Sequence, residues 1–211
     1  MSPRTAASLR GTDQTLREHL ITVAAQLIDE RGSAGLTVRD IAHAAHVAGG
    51  ALYNHFEDKE ELLAHALATH VTTVMHSLHA LPEPGEATVE ENLRTFVRTG
   101  LTVLSRVIPA FVGFFDHREV IKRAMAINGG PAEAGGIPRM LSSYLQGEQE
   151  LGRVSADANP DSAAQLIVGA CHDLVLPRML MDPHASMPIE VPDGFVEELV
   201  RTVMNGIGPR G

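Results

Sequence analysis

Between Thr37 and Lys59 the chain carries Arg39, Tyr53, Asn54, His55 and Lys59, side chains that hydrogen-bond to phosphates or to base edges. Among them lies Ala48-Gly49-Gly50-Ala51, which has almost no side-chain hydrogen-bonding capacity. Such a stretch reads bases through methyl contact with thymine and close backbone approach, leaving Arg39 as the hydrogen-bonding reader. Tyr53 and His55 suit phosphates, which position a protein without reading sequence. The chemistry is therefore recognition rather than bond making. The chain has no G-x-S-x-G, Walker loop, HExxH or dinucleotide fingerprint, and an enzyme is not expected. His43 and His46 are three apart, but no Cys or carboxylate completes a metal site beside them, and His43, His46 and His55 are read as DNA-contacting or solvated groups. His76-x-x-His79 is a second possible pair, read chiefly as solvated or pocket-edge histidines. No metal or cofactor is expected.

Two short helices must hold these groups. Thr37 and Asp40 form a capping-box pattern, and Val38, Ile41, Ala42 and Ala45 recur at helical spacing. A turn falls at Ala45-His46-Val47, and a second helix starts near Ala48 with Leu52 and Phe56 on its inner face. Two helices with a tight turn, the second presenting polar groups, is the helix-turn-helix arrangement that enters the DNA major groove.

The segment from about Leu16 to Leu67 resembles the N-terminal domain of TetR/AcrR-type transcriptional regulators. The resemblance rests on the apolar first helix (Leu20, Val23, Ala24, Leu27, Ile28), Gly32, T-V-R-D-I-A from Thr37, Val47, Gly50-Ala51-Leu52-Tyr53, His55-Phe56 and Lys59-Glu60-Glu61-Leu62-Leu63. It implies that Thr37, Val38, Arg39, Ala48, Gly49, Gly50, Ala51, Tyr53, Asn54, His55 and Lys59 form the DNA-facing set. Lys59 either meets a phosphate, as the resemblance implies, or is a solvated charge. The chain departs from the family pattern at His46, usually Gly, at Ala48, usually Ser or Thr, and at Gly49, often Lys or Arg.

Residues 1–12 read as a disordered leader, or as a basic arm through Arg4 and Arg10, before a first helix from Thr12 or Asp13 to Glu30 with Gly32 as its stop. Asp58-x-x-Glu61 is a second capping box, opening a helix that runs to about Ala80. Helices follow at about 88–106, after Pro109, at about 138–151, from Pro160 to about Leu180, and at about 194–205. Pro82, Pro84 and Gly85 form one break, and the Gly- and Pro-rich stretch 128–138 another, read as either an entrance loop or a connector.

Four of the six phenylalanines lie between 96 and 115. They are either core or, as a group, the lining of the apolar pocket that such regulators build. Phe96, Leu104, Phe111, Phe114, Phe115, His117, Arg118, Met140, Tyr144 and His172 are the candidate effector-binding residues; Arg118 suits a carboxylate, and His172, like Cys171, is also readable as packing. The helix over 160–181 is apolar on more than one face, with small Ala163, Ala164, Gly169 and Ala170, so it is buried or shared. By resemblance it and the helix over 194–205 pair with their copies in a homodimer.

Composition bounds this reading. The chain has 211 residues, 44% hydrophobic and 20% charged, which is globular. A single Cys fits a reducing cytoplasm, the N-terminus lacks a signal-peptide core, and no run approaches the ~20 apolar residues that span a membrane. Net charge is −9, and residues 1–56 balance five Arg against five Asp and Glu, so the acidic excess lies after Phe56. That predicts few phosphate contacts and a shallow salt dependence.

The expectation is an all-α chain: residues 13–60 a three-helix helix-turn-helix DNA-binding domain, residues 61–211 a helical ligand-binding and dimerisation domain. The expected function is a cytoplasmic repressor, released from a palindromic operator by a small hydrophobic or amphipathic effector. An activator whose DNA-bound form carries the ligand fits the sequence equally. The alternative from another class is an all-α small-molecule or metal-sensing protein with weakened DNA reading.

Overall fold

In a computed structural model, residues 3–76, 82–129, 136–181 and 190–206 are described, with side chains from Thr15 onward. Every regular element among them is a helix. The order is α1 (Pro3–Arg31), α2 (Val38–Ala44), a 3₁₀ helix (Gly49–Asn54), α3 (Lys59–His76), α4 (Val89–Val112), α5 (Arg118–Ile127), α6 (Gly136–Glu150), α7 (Pro160–Met181) and α8 (Phe195–Asn205). The chain divides into two compact units, residues 1–73 with 109–130, and residues 74–108 with 131–211.

The first unit is built on the apolar stripe of α1. Leu20, Ala24, Leu27 and Ile28 pack with Ile41, Leu52, Phe56, Leu62, Leu63, Ala66 and Leu67. Helix α1 ends as expected at Gly32, which takes a left-handed φ of 73° and donates its N–H to Ile28 O. It starts at Pro3, in the first turn where a missing N–H is harmless, so residues 3–12, expected as a leader, extend α1. The unit also runs past the expected boundary at residue 60. The inward face of α3 is one wall of the core, and Ala110, Phe114, Val120 and Ala124 join it from later in the chain.

Helix α4 was expected to stop before Pro109 but continues through it to Val112. So near the helix end, a proline removes one ladder bond and leaves the rest intact. Gly113 then ends the helix, and Phe114 and Phe115 lie in a turn rather than on a helix. Contrary to the expectation from runs of apolar residues, α4 is long and apolar enough by composition to span a membrane. It is strongly amphipathic and half buried within the protein, as a core helix is.

In the second unit α6 packs on α7, and α7 on α8. Helix α7 turns Ala164, Ile167, Val168, Cys171, Val175 and Met179 inward, at helical spacing. Burial pushes the Cys171 thiol up to about 11. A buried polar network fastens the loop before α4 to the end of α6. Tyr144 donates to Glu148 at 2.7 Å and accepts from Asn92 at 2.8 Å. Asn92 also donates to Glu86 O, and Gly85 N–H to Glu148. Glu148 is fully buried, with Arg153 Nε 3.1 Å from its second oxygen, and Arg153 also donates to Ala87 O. Burying a polar side chain is costly unless partners of this kind surround it.

Candidate nucleic-acid interface

Helix α2 opens with a complete capping box. Asp40 N–H donates to the Thr37 hydroxyl, and the Asp40 carboxylate accepts from the Thr37 N–H at 2.9 Å and from its hydroxyl. Those bonds from Thr37, the side-chain one first, hold the Asp40 carboxyl below the usual carboxylate range. The first helix of the pair therefore forms where the sequence predicts, from Val38, with Ile41 and Ala42 buried and Arg39 exposed.

The helix ends in a Schellman motif. Val47 N–H bonds Ala42 O, His46 N–H bonds His43 O, and His46 sits between them with a left-handed φ of 56°. A histidine thus takes the conformation that glycine takes most easily.

The second helix of the pair differs from expectation. It is a 3₁₀ helix over Gly49–Asn54, with Ala51 N–H bonding Ala48 O. The cause is local. Ala48 has extended backbone but no side-chain acceptor for a cap, and two consecutive glycines disfavour an α-helix by about 1 kcal/mol each. The segment tightens into the short form common at connectors. Leu52 and Phe56 anchor it in the core, as predicted. The opposite surface exposes Ala48, Gly49, Gly50, Tyr53 and Asn54, with Ala51 and His55 half exposed. Tyr53 is 65% exposed, the posture of a contact group rather than a core aromatic.

The exit from this helix is gripped on several sides. Arg17 of α1 lies over the Phe56 ring at 4.8 Å, donates to His55 O at 3.3 Å and bonds Glu61 at 2.7 Å. Asp58 caps α3 by accepting from Glu61 N–H at 2.7 Å. The second expected capping box is displaced by one residue, because Glu61 reaches the N–H of Glu57 at 2.6 Å instead of that of Asp58. Burial pushes the Glu61 carboxyl up, but the Glu57 N–H and Arg17 outweigh it and hold it below the usual range. Arg123 of α5 completes the cluster, donating to both Asp58 oxygens at 2.8 and 3.0 Å. Lys59 is half buried at the start of α3. Nothing in the local pattern flags Arg17 or Arg123 for this role, since the groups they hold at this exit lie 38 to 65 residues away.

The expected effector residues divide between the two units. Phe111 is partly buried against the core of the first unit, and Phe114 (2% exposed) is one of its largest buried side chains. Phe115 is 48% exposed, and His117 and Arg118 are exposed. In the second unit Phe96 and Leu104 are buried on α4, Met140 is half buried and Tyr144 belongs to the Glu148 network. His172 is half buried with Nδ1 2.9 Å from Val168 O, one turn back. Among the described residues no group of three or more metal-ligating side chains forms; His79 lies outside them.

Residues 20–66 match the family model for bacterial regulatory proteins of the tetR family. Over 47 residues the chain is 49% identical to the HTH-type transcriptional repressor KstR2 of Rhodococcus jostii, a match covering 22% of this chain and 23% of that protein. The chain thus spans about a quarter of the length of the curated relatives it matches first. Over nearly its whole length it shares a fold with the fatty acid degradation regulator FadR of Bacillus halodurans, with a TM-score of 0.61 at 22% identity, covering 92% of this chain and 97% of that one. The same holds for FadR of Bacillus subtilis in complex with stearoyl-CoA, with a TM-score of 0.57 at 20% identity, covering 90% and 99%.

Proposed function

We propose that this chain is a ligand-responsive DNA-binding repressor of the TetR/AcrR type acting as a cytoplasmic homodimer, a reading supported by the match of residues 20–66 to the tetR family model. The observation that carries the reading is the capped α2, Schellman turn and exposed 3₁₀ helix, which together present Arg39, the Gly49-Gly50 backbone and Tyr53 on one structural unit. Arg39 and the bare backbone read base edges, while Tyr53, His55 and Lys59 hold phosphates.

The homodimer forms through α7 and α8. Leu166 (66% exposed), Leu180 and Met181 (86% exposed) on α7, and Met204 on α8, leave apolar surface uncovered in the single chain. Exposed Gly169 beside them allows a partner helix to approach closely. Two copies present two reading helices to the half-sites of a palindromic operator. An apolar or amphipathic effector binds the helices beyond residue 88, and the likeness to a fold that holds stearoyl-CoA in another protein supports that class. By binding a conformation whose heads do not fit the half-site spacing, the effector releases DNA.

The test is selection of duplexes from a random pool by the full chain, followed by anisotropy titration of the selected and scrambled duplexes at two salt concentrations. Nanomolar binding to the selected duplex only, with a shallow salt slope, is expected. Equal binding to both sinks the reading. It would favour instead a small-molecule sensor that no longer reads DNA, for which the uncapped, glycine-rich 3₁₀ helix is the supporting observation.

A further inference from the structure

We infer that Arg123, which lies outside the segment matching the family model, is a positioning residue for the DNA-reading helix, acting through its contact with Asp58. The inference rests on the regulator reading above.

A 3₁₀ helix with no side-chain cap and two glycines in its first turn does not hold its own orientation. Its orientation comes from its flanks. On the entry side the turn at His46 fixes the chain. On the exit side everything passes through residues 55–58. Arg17 holds His55 O and the Phe56 ring, Glu61 holds the Glu57 N–H, and Asp58 accepts from the Glu61 N–H. Asp58 is thus the point where the exit from the reading helix becomes the start of α3. One guanidinium nitrogen of Arg123 bridges both of its carboxylate oxygens. Arg123 is itself steadied by Glu119, one turn back on α5, at 3.2 Å. A charge-assisted contact to both oxygens restricts the carboxylate to one orientation, and with it the cap.

The pair is not needed to dock α5. Val120 and Ala124, with Phe114 just before the helix, already bury its inner side in the core of this unit. Both partners are more than a third exposed, and such pairs add little to global stability. What the contact supplies is geometry: a rigid link from α5 to the exit of the reading helix. Residues 109–127 therefore act as part of the DNA-binding head.

The experiment takes the duplex selected by the wild-type chain and a scrambled control. It compares the wild type, Arg123→Ala, Arg123→Lys, Asp58→Asn and the Arg123→Ala/Asp58→Asn double variant, all full length. Asp58→Asn keeps a capping oxygen and loses the charge. Arg123→Ala should lower the ratio of selected to scrambled affinity about fivefold or more, with scrambled-DNA affinity and the urea midpoint unchanged. Asp58→Asn should show the same loss, the double variant no more than either single, and Arg123→Lys a partial recovery. An unchanged ratio in Arg123→Ala overturns the inference, as does a ratio that falls only in step with the urea midpoint. A wild type that discriminates no duplex overturns the regulator reading and this inference together, whereas a discriminating wild type with an equally discriminating Arg123→Ala overturns this inference alone.

Discussion

Ser33 and Gly113 occupy one space: a Cβ on Gly113 would lie 2.2 Å from the Ser33 hydroxyl and 2.3 Å from the backbone nitrogen of Ala34. In that space the Ser33 hydroxyl donates to Ala110 O at 2.7 Å, satisfying a carbonyl in the last turn of α4. The loop leading to α2 is thereby joined to the end of α4, 77 residues away. Gly113→Ala cannot be relieved by a side-chain rotation, because backbone is part of the clash. It should destabilise the chain by about 1–3 kcal/mol or more in urea unfolding. Ser33→Ala should cost about 1–3 kcal/mol by leaving a buried carbonyl unpaired. A Gly113→Ala midpoint equal to wild type would show that the loop yields.

His46 holds a left-handed backbone that costs a non-glycine residue roughly 1 kcal/mol. His46→Gly should therefore raise stability by about 0.5–1 kcal/mol, read as a higher urea midpoint at unchanged slope. A lower midpoint would mean that the imidazole makes a contact worth more than the strain.

Arg39 is the exposed hydrogen-bonding side chain of α2, whereas residues 48–51 offer methyls and backbone. Arg39→Ala should reduce discrimination among operator variants more than any single substitution within 48–51, by about tenfold, as expected for loss of one base-reading contact. An operator-mutant series with unchanged base preference in Arg39→Ala would defeat this.

Acid should weaken the first unit through its caps. Asp40 is held down by bonds from Thr37, and Asp58 chiefly by the Glu61 N–H, aided by Arg123. A carboxyl whose folded pKa is depressed contributes stability that is present above its unfolded value of about 3.9 and is lost as pH falls through the folded value. The penalty of Asp40→Asn in urea unfolding should therefore be visible at pH 5 and shrink toward pH 3. A penalty that does not change with pH would mean that the Asp40 charge contributes nothing.

Leu166 places an apolar side chain on the uncovered face of α7. If the proposed homodimer pairs through this face, the wild type should sediment as a dimer and Leu166→Asp as a monomer with weaker operator binding, because two linked heads bind far better than one. A variant that stays dimeric would move the interface elsewhere.

Much of the reading surface was legible from neighbours in sequence. The stop at Gly32, the Thr37–Asp40 capping box, the turn at Ala45-His46-Val47, the inward Leu52 and Phe56, and the Asp58 cap all depend on bonds or spacings within about one helical turn. Residue types alone set such interactions. The 3₁₀ form of the reading helix was latent in the missing cap at Ala48 and the Gly49-Gly50 pair, yet an apolar pattern does not separate it from an α-helix.

The tertiary structure decided what depends on distant partners. It carried α4 through Pro109, assigned Phe114 to the core of the first unit, and made Gly113 obligatory by bringing Ser33 against it. It also buried Glu148 among Tyr144, Asn92-linked loop backbone and Arg153, and turned Arg17 and Arg123 into clamps on the exit of the reading helix. Local propensity and hydrophobic period carry no record of which chain segment will arrive from dozens of residues away. Close packing, which leaves room for a hydroxyl and not for a methyl, makes that choice only once the chain has folded.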